Sequence, residues 1–302
     1  MSIGTLAPGR VIVASELPEA ERSRTWRKLS RNPAAIAGAL ILLIVIAAAV
    51  AAPYVAPHDP MRQSLLRRFT PPVWLQGGNP SYPLGTDQVG RDILSRIIYG
   101  ARVSLVVGIA AVAVSLVVGV TLGLLSGFLR GRVDAVIMTV VDVTLSFPQL
   151  LLALAFVAAL GPSLATIIVV LGLTGWERYA RVVRAEVLAL RERDFVQSAR
   201  ALGAGPARVI LRHLLPNTLS SVIVLSTLGV AQAILQEAAL SFLGVGGGGS
   251  QPSWGQMVAQ GRDVVTVAWW LPTFPGLAIL ATVLAINLVG DRLRDALDPR
   301  TR

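Results

Sequence analysis

From Ala34 to Ala52 the chain carries no charged or polar side chain, and comparable runs recur along its 302 residues. Crossing a hydrocarbon layer of about 30 Å takes roughly 20 apolar residues in a helix, so these runs constrain the fold more than any local motif does. The composition agrees, with 54% hydrophobic and only 15% charged residues and a mean hydropathy of +0.66. A soluble core is the weaker reading.

The first run stops at Pro53 and reads as the first span, 33–55. Its basic leader, ending at Arg31, and its length fit an uncleaved anchor better than a cleaved leader peptide. Residues 56–99 are polar and rich in proline and glycine, as expected of a loop on the far side of the membrane. A second span runs from about Val103 to Phe128, between Arg102 and Arg130, and a third from about Val133 to Leu160. Span four begins with Ser163 to Gly175, too short to cross alone, and continues through Trp176, Glu177, Arg178 and Arg181, whose charges are expected near the inner surface. After a polar stretch, span five covers about Val222 to Leu243 and span six about Leu271 to Val289.

Six spans place both termini on one side. Of the 27 Lys and Arg residues, 20 fall in the segments on that side and 7 on the other, so the termini are expected in the cytoplasm. The division is then a cytoplasmic segment 1–32, a first helix 33–55, an extracytoplasmic loop 56–99, a five-helix core 100–291 with a cytoplasmic loop 184–218, and a cytoplasmic tail 292–302. Topology also accounts for the net charge of +10 without nucleic acid as a partner. With no cysteine and only two distant histidines, His58 and His213, neither thiolate chemistry nor a histidine metal site has material to build on.

The loop 184–218 carries the most pattern. Asp194 to Gly203 reads as a short helix closed by glycine, and Pro206 to Leu215 as a second, ending against Pro216. The pattern fits both a docking elbow and an amphipathic connector lying on the membrane surface. Within the spans, Asp142, Gln232, Gln236 and Glu237 are costly to bury in lipid. They fit a pathway or gate as well as interhelical hydrogen bonds. Pro148, inside span three, fits a hinge or a static kink.

Ala199, Gly203 and Leu215-Pro216 resemble the coupling loop of binding-protein-dependent importer permeases, whose signature is Glu-Ala-Ala, three residues, Gly, nine residues, Ile, one residue, Leu-Pro. Gln197 replaces the Glu, Ser198 the first Ala and His213 the Ile. Leu84-Gly85-Thr86-Asp87 through Arg102, Leu240-Ser241-Phe242-Leu243-Gly244, Pro252-Ser253-Trp254-Gly255 and Gly290-Asp291 through Pro299 are similar to segments of the oligopeptide, dipeptide and nickel permease family, closest to its second-type subunit.

The resemblance implies an all-α integral membrane protein of six transmembrane helices with a cytoplasmic coupling helix, the type I ABC importer permease fold, in a bacterial inner membrane. It implies ATPase coupling through Gln197, Ser198, Ala199, Arg200, Ala201, Gly203, His213, Leu215 and Pro216. Arg200, Arg208 and Arg212 either meet acidic ATPase residues or serve topology alone. Implied partners are a second, homologous permease, two ATPase subunits and an extracytoplasmic solute-binding protein docking near Leu84–Arg102 and Gly244–Arg262. No cofactor is expected on this chain, since ATP and magnesium belong to the ATPases, and no catalytic residue is expected. Peptides are the expected cargo, with nickel chelates, glutathione and antimicrobial peptides handled by similar subunits. A secondary transporter should show an internal repeat of spans, and a membrane enzyme should show a catalytic constellation; neither pattern occurs.

Overall fold

The computed structural model describes residues 33–246 and 251–297. The basic leader, the glycines from Gly247 to Gly249 and the final Asp298-Pro299 motif lie outside them. The described chain is built from helices, with one isolated β-bridge, Thr86 to Asp92.

Helix α1, Pro33–Val50, is charge-free and shows most of its side chains outward, as suits lipid. Its small residues make its protein contacts. A Cβ added to Gly38 would stand 3.0 Å from Leu288 Cβ, so the helices approach closely there.

Helix α2, Ile93–Leu129, is the axis of the bundle. At about 1.5 Å per residue its 37 residues exceed the thickness of a hydrocarbon core. It starts ten residues before the expected Val103, because Asp92 caps it: the Asp92 carboxylate accepts from the Ser95 amide at 3.0 Å. The charges that made this stretch read as loop are accommodated. Arg96 is buried against Asp87, and Arg102 donates to the Ala49 and Val50 carbonyls at the end of α1.

A tight turn at Arg130 and Gly131, both with positive φ, leads to α3, Gly131–Leu145. Helix α4, Gln149–Leu160, follows at an angle of 88°. Pro148 has no N–H to continue the ladder, so the third span is broken rather than merely kinked. Helices α5, Leu164–Leu173, and α6, Trp176–Leu190, divide the fourth span at Thr174-Gly175. Length and hydropathy alone select four described helices as spans, or five with the bent α3–α4 pair. The expected fourth span corresponds to the divided α5–α6 segment, which length and hydropathy do not select.

Three glycines spaced one turn apart join α2 to α6. A Cβ on Gly119, Gly123 or Gly127 would meet Trp176 O at 2.4 Å, Ala180 O at 2.7 Å or Val187 Cβ at 2.8 Å. Lipid offers no hydrophobic drive for helix association, so close packing of this kind supplies the attraction. Buried Val183 and Val187 continue the contact into a cluster with Val196, Val209 and Leu214, seating the next segment.

That segment is α7, Asp194–Ala201, followed by a 40-residue helical run, α8, Pro206–Val245. The expected stop at Pro216 is absent. A wide turn over Ile210–Leu214, with the Leu215 amide bonded to the Ile210 carbonyl, absorbs the proline, and Asn217 Nδ2 takes the His213 carbonyl at 2.6 Å. A further helix, α9, Trp254–Arg262, packs between α8 and α10, Trp270–Leu297, where the sequence had suggested only a loop. Ser253 caps it, Trp254 Nε1 donates to the Ile97 carbonyl at 2.9 Å, and Gly255 and Gly261 press against Ala238 and Pro272.

Candidate functional site

Three regions stand out: an elbow at α7, a half-open cavity among the helices and a fastened loop at the opposite end.

The elbow is anchored from beneath. Val196 of α7 and Val209 are fully buried, while Leu202 at 89% and Leu211 at 63% exposure project outward with Phe195. Gly203 has φ +84°, with its amide bonded to the Arg200 carbonyl at 2.9 Å and the Ala204 amide to the Ala199 carbonyl at 3.0 Å. These paired bonds close the helix and require a left-handed residue. Gln197, Ser198 and Ala201 are exposed, and Gln197 Nε2 donates to the Glu192 carbonyl at 3.2 Å. Arg200 lies over the Phe128 ring at 5.0 Å, and His213 sits beside Phe195 with ring centroids 6.3 Å apart, so both are engaged within the elbow. Leu215 is half-buried and Pro216 exposed. The candidates from Gln197 to Gly203 thus form one compact knob. The exposed apolar Phe195, Leu202 and Leu211 complete it; their positions on a polar helical segment were the available signal.

The stem of the elbow is tied to α3 by charge. Arg184 meets Asp134 through two parallel bonds, and Arg181 meets Asp142 at 2.5 Å. Arg191 donates to the Gly127 and Phe128 carbonyls at the end of α2.

The cavity, of about 300 Å³, lies among α2, α6, α8 and α10. Gln232 and Gln236 line it; Asp142 and Glu237 do not. Asp142 is spent on Arg181. Glu237 is buried, and its Oε1 accepts from Ser241 Oγ at 2.8 Å within the same helix. The pathway set drawn from sequence therefore divides in two. Sequence reasoning passed over Arg178, Gln149, Tyr179 and Asn287, which share the cavity.

At the other end, Asp87 accepts from Arg91 Nε at 2.7 Å and from Arg96, and both guanidiniums also donate to Gln260 Oε1 of α9, at 3.2 and 2.9 Å. His58 stacks on Tyr82 with ring centroids 4.7 Å apart, while its amide donates to Ser95 Oγ at 2.9 Å. Charges in the Leu84–Arg102 motif thus fix the loop to α2 and α9. Among the described residues no three His, Cys, Asp or Glu side chains gather as a metal site would require.

Residues 119–302 match the family described as the binding-protein-dependent transport system inner membrane component, and residues 22–72 match the N-terminal transmembrane domain of oligopeptide transport permease C. The chain is 46% identical to the Di/tripeptide transport system permease protein DppC of Pseudomonas aeruginosa, over 92% of this chain and 91% of that protein. It is 42% identical to the Dipeptide transport system permease protein DppC of Haemophilus influenzae, over 94% of this chain and 97% of the relative. The same-named protein of Escherichia coli K12 is 44% identical, over 96% and 97%. The inward-facing MetNI methionine ABC transporter superposes with a TM-score of 0.55 at 20% identity, over 67% of this chain and 96% of that one, which shows a shared fold. An all-helical bundle with long apolar spans, matched along nearly its whole length by permeases, is a membrane transport subunit of the type I importer fold. The chain belongs to the family of binding-protein-dependent transport system inner membrane components.

Proposed function

We propose that this chain is the second-type permease subunit of an ATP-driven peptide importer and forms half of the pathway across the bacterial inner membrane. Full-length similarity to permeases named for dipeptide and di/tripeptide transport carries the cargo assignment. Gln232 and Gln236, lining a half-open cavity of the bundle, supply the neutral hydrogen-bonding groups that a peptide backbone needs in transit.

The elbow is the contact for the ATPase. A knob with exposed apolar tips and a buried base transmits force as a rigid body, because its close contacts leave it little freedom to bend. Arg184–Asp134 and Arg181–Asp142 carry that motion into α3. Alternating access then follows from movement of α6 with α3 relative to α8 and α10. Both termini and the elbow face the cytoplasm, and the loop fastened by Asp87 faces the solute-binding protein. A second, homologous permease completes the pathway, and two ATPase subunits hydrolyse ATP with magnesium.

Tagged chain purified in mild detergent from its native membrane tests this assembly. Co-purification of a second permease and ATPase subunits supports it. Recovery of the chain alone, under conditions that hold a control importer together, contradicts it.

A further inference from the structure

Three arginines project from α6, and two are held by carboxylates: Arg181 by Asp142 and Arg184 by Asp134. Arg178 makes no ion pair among the described residues. It lines the half-open cavity, is itself exposed, and makes one hydrogen bond, from Nη2 to Gln149 Oε1 at 3.2 Å. A guanidinium has five N–H donors, so most of its capacity is left over. Its sequence neighbour Glu177 is buried and does not line the cavity.

The rest of the lining decides what ligand suits that leftover capacity. No carboxylate lines the cavity, whereas the carboxamides of Gln149, Gln232, Gln236 and Asn287 do. Two helix starts also abut it. Gln149 opens α4 after Pro148, Gly175 precedes α6, and neither start has a side-chain cap. The start of α4 adds partial positive charge near Arg178, while that of α6 is offset by Glu177 in its first turn. The Arg178 side chain is exposed at the cavity's edge, open to a ligand that enters it, and an anion is the partner a guanidinium binds best. Here the partner is not in the fold, and the remaining polar groups are neutral donors and acceptors suited to amides.

We propose that Arg178, oriented by Gln149, receives the terminal carboxylate of the peptide in transit, while the carboxamides on α8 and α10 meet its backbone. This rests on reading the chain as a peptide permease. The planar fork of arginine matches a carboxylate through paired bonds, and a lysine keeps the charge without the fork. The site explains how a pathway lined by one cation and neutral carboxamides can orient a zwitterionic solute without an acid to trap its amino end.

The test uses the whole complex, purified from native membrane and reconstituted in vesicles with its binding protein, reading ATP-dependent uptake of a labelled dipeptide. Subunit recovery is checked for each variant. Arg178→Gln is expected to lower uptake roughly tenfold or more with subunits recovered in the wild-type ratio, and Arg178→Lys to restore a substantial part of it. Uptake by Arg178→Gln within about twofold of wild type overturns the proposal, as does a lysine variant no better than the glutamine one. Loss of a subunit from either variant also overturns it, by assigning Arg178 to a contact with the partner permease. Absence of dipeptide uptake by the wild-type complex instead removes the peptide reading itself, so the two failures are distinguishable.

Discussion

Arg184 holds Asp134 by two parallel bonds, Nε to Oδ1 at 2.5 Å and Nη2 to Oδ2 at 2.7 Å, and so fixes the stem of the elbow to the first turn of α3. The pair is partly shielded, with side-chain exposures of 31% and 16%. Both helices continue from it towards the cavity and the 88° bend. Arg184→Gln should lower the melting temperature of the detergent-solubilised complex, at a cost of about 1–3 kcal/mol. Arg184→Lys should recover only part, since an ammonium cannot make the paired contact. Scanning fluorimetry of the three proteins checks the order.

The left-handed turn at Gly203 gives a second test. No atom would lie within 4 Å of an added Cβ, so any penalty is conformational and not steric. Gly203→Val should distort the elbow at a cost of about 1–2 kcal/mol or more, and reduce co-purification of the ATPases. Gly203→Asn should be tolerated far better, because asparagine enters this region readily. Comparing ATPase recovery from the two variants separates the backbone requirement from a general intolerance of side chains.

Gly119 makes the opposite kind of demand. Its conformation is ordinary, yet a Cβ would stand 2.4 Å from the Trp176 carbonyl. Gly119→Ala should push α6 off α2 and cost about 1–3 kcal/mol, and Gly119→Leu should abolish stable expression. Yield and melting temperature of the solubilised protein report this.

Glu237 and Gln236 are neighbours with different expected roles. Gln236 lines the cavity, while Glu237 is buried beside Ser241. Gln236→Ala should reduce dipeptide uptake with the subunits still assembled. Glu237→Ala should lower stability first, by about 1–3 kcal/mol, with uptake falling as the protein is lost. Uptake normalised to assembled complex discriminates the two; normal stability of the Glu237 variant with lost uptake would move Glu237 into the pathway.

The apolar runs make most of the spans legible because lipid selects on hydropathy and length. Where the sequence and the structure part, a polar group had found a partner that composition does not reveal. Arg96 looked like loop until Asp87 and Gln260 surrounded it, which is why α2 began too late in the sequence reading. Asp142, a pathway candidate from sequence, stands off the cavity and pairs with Arg181, 39 residues away. Pro216 looked like a helix end, but the wide turn before it shifts the register so that the helix passes through. Pro148 signalled a disturbance whose angle depends on packing that no local rule encodes. The elbow was the most legible feature of the site, because a glycine closing a short helix is a local signal. The cavity was the least legible, since Gln149, Arg178 and Asn287 come together only in the folded bundle.

The central claim is that this chain conducts peptides as part of an ATP-driven importer. Its most direct measurement is uptake of a labelled dipeptide into vesicles holding the complex purified through this subunit. The account predicts accumulation that requires both external binding protein and ATP enclosed in the vesicle, for complexes oriented with their ATPases inward. Dipeptide movement independent of ATP and of the binding protein would contradict it and identify a self-sufficient carrier.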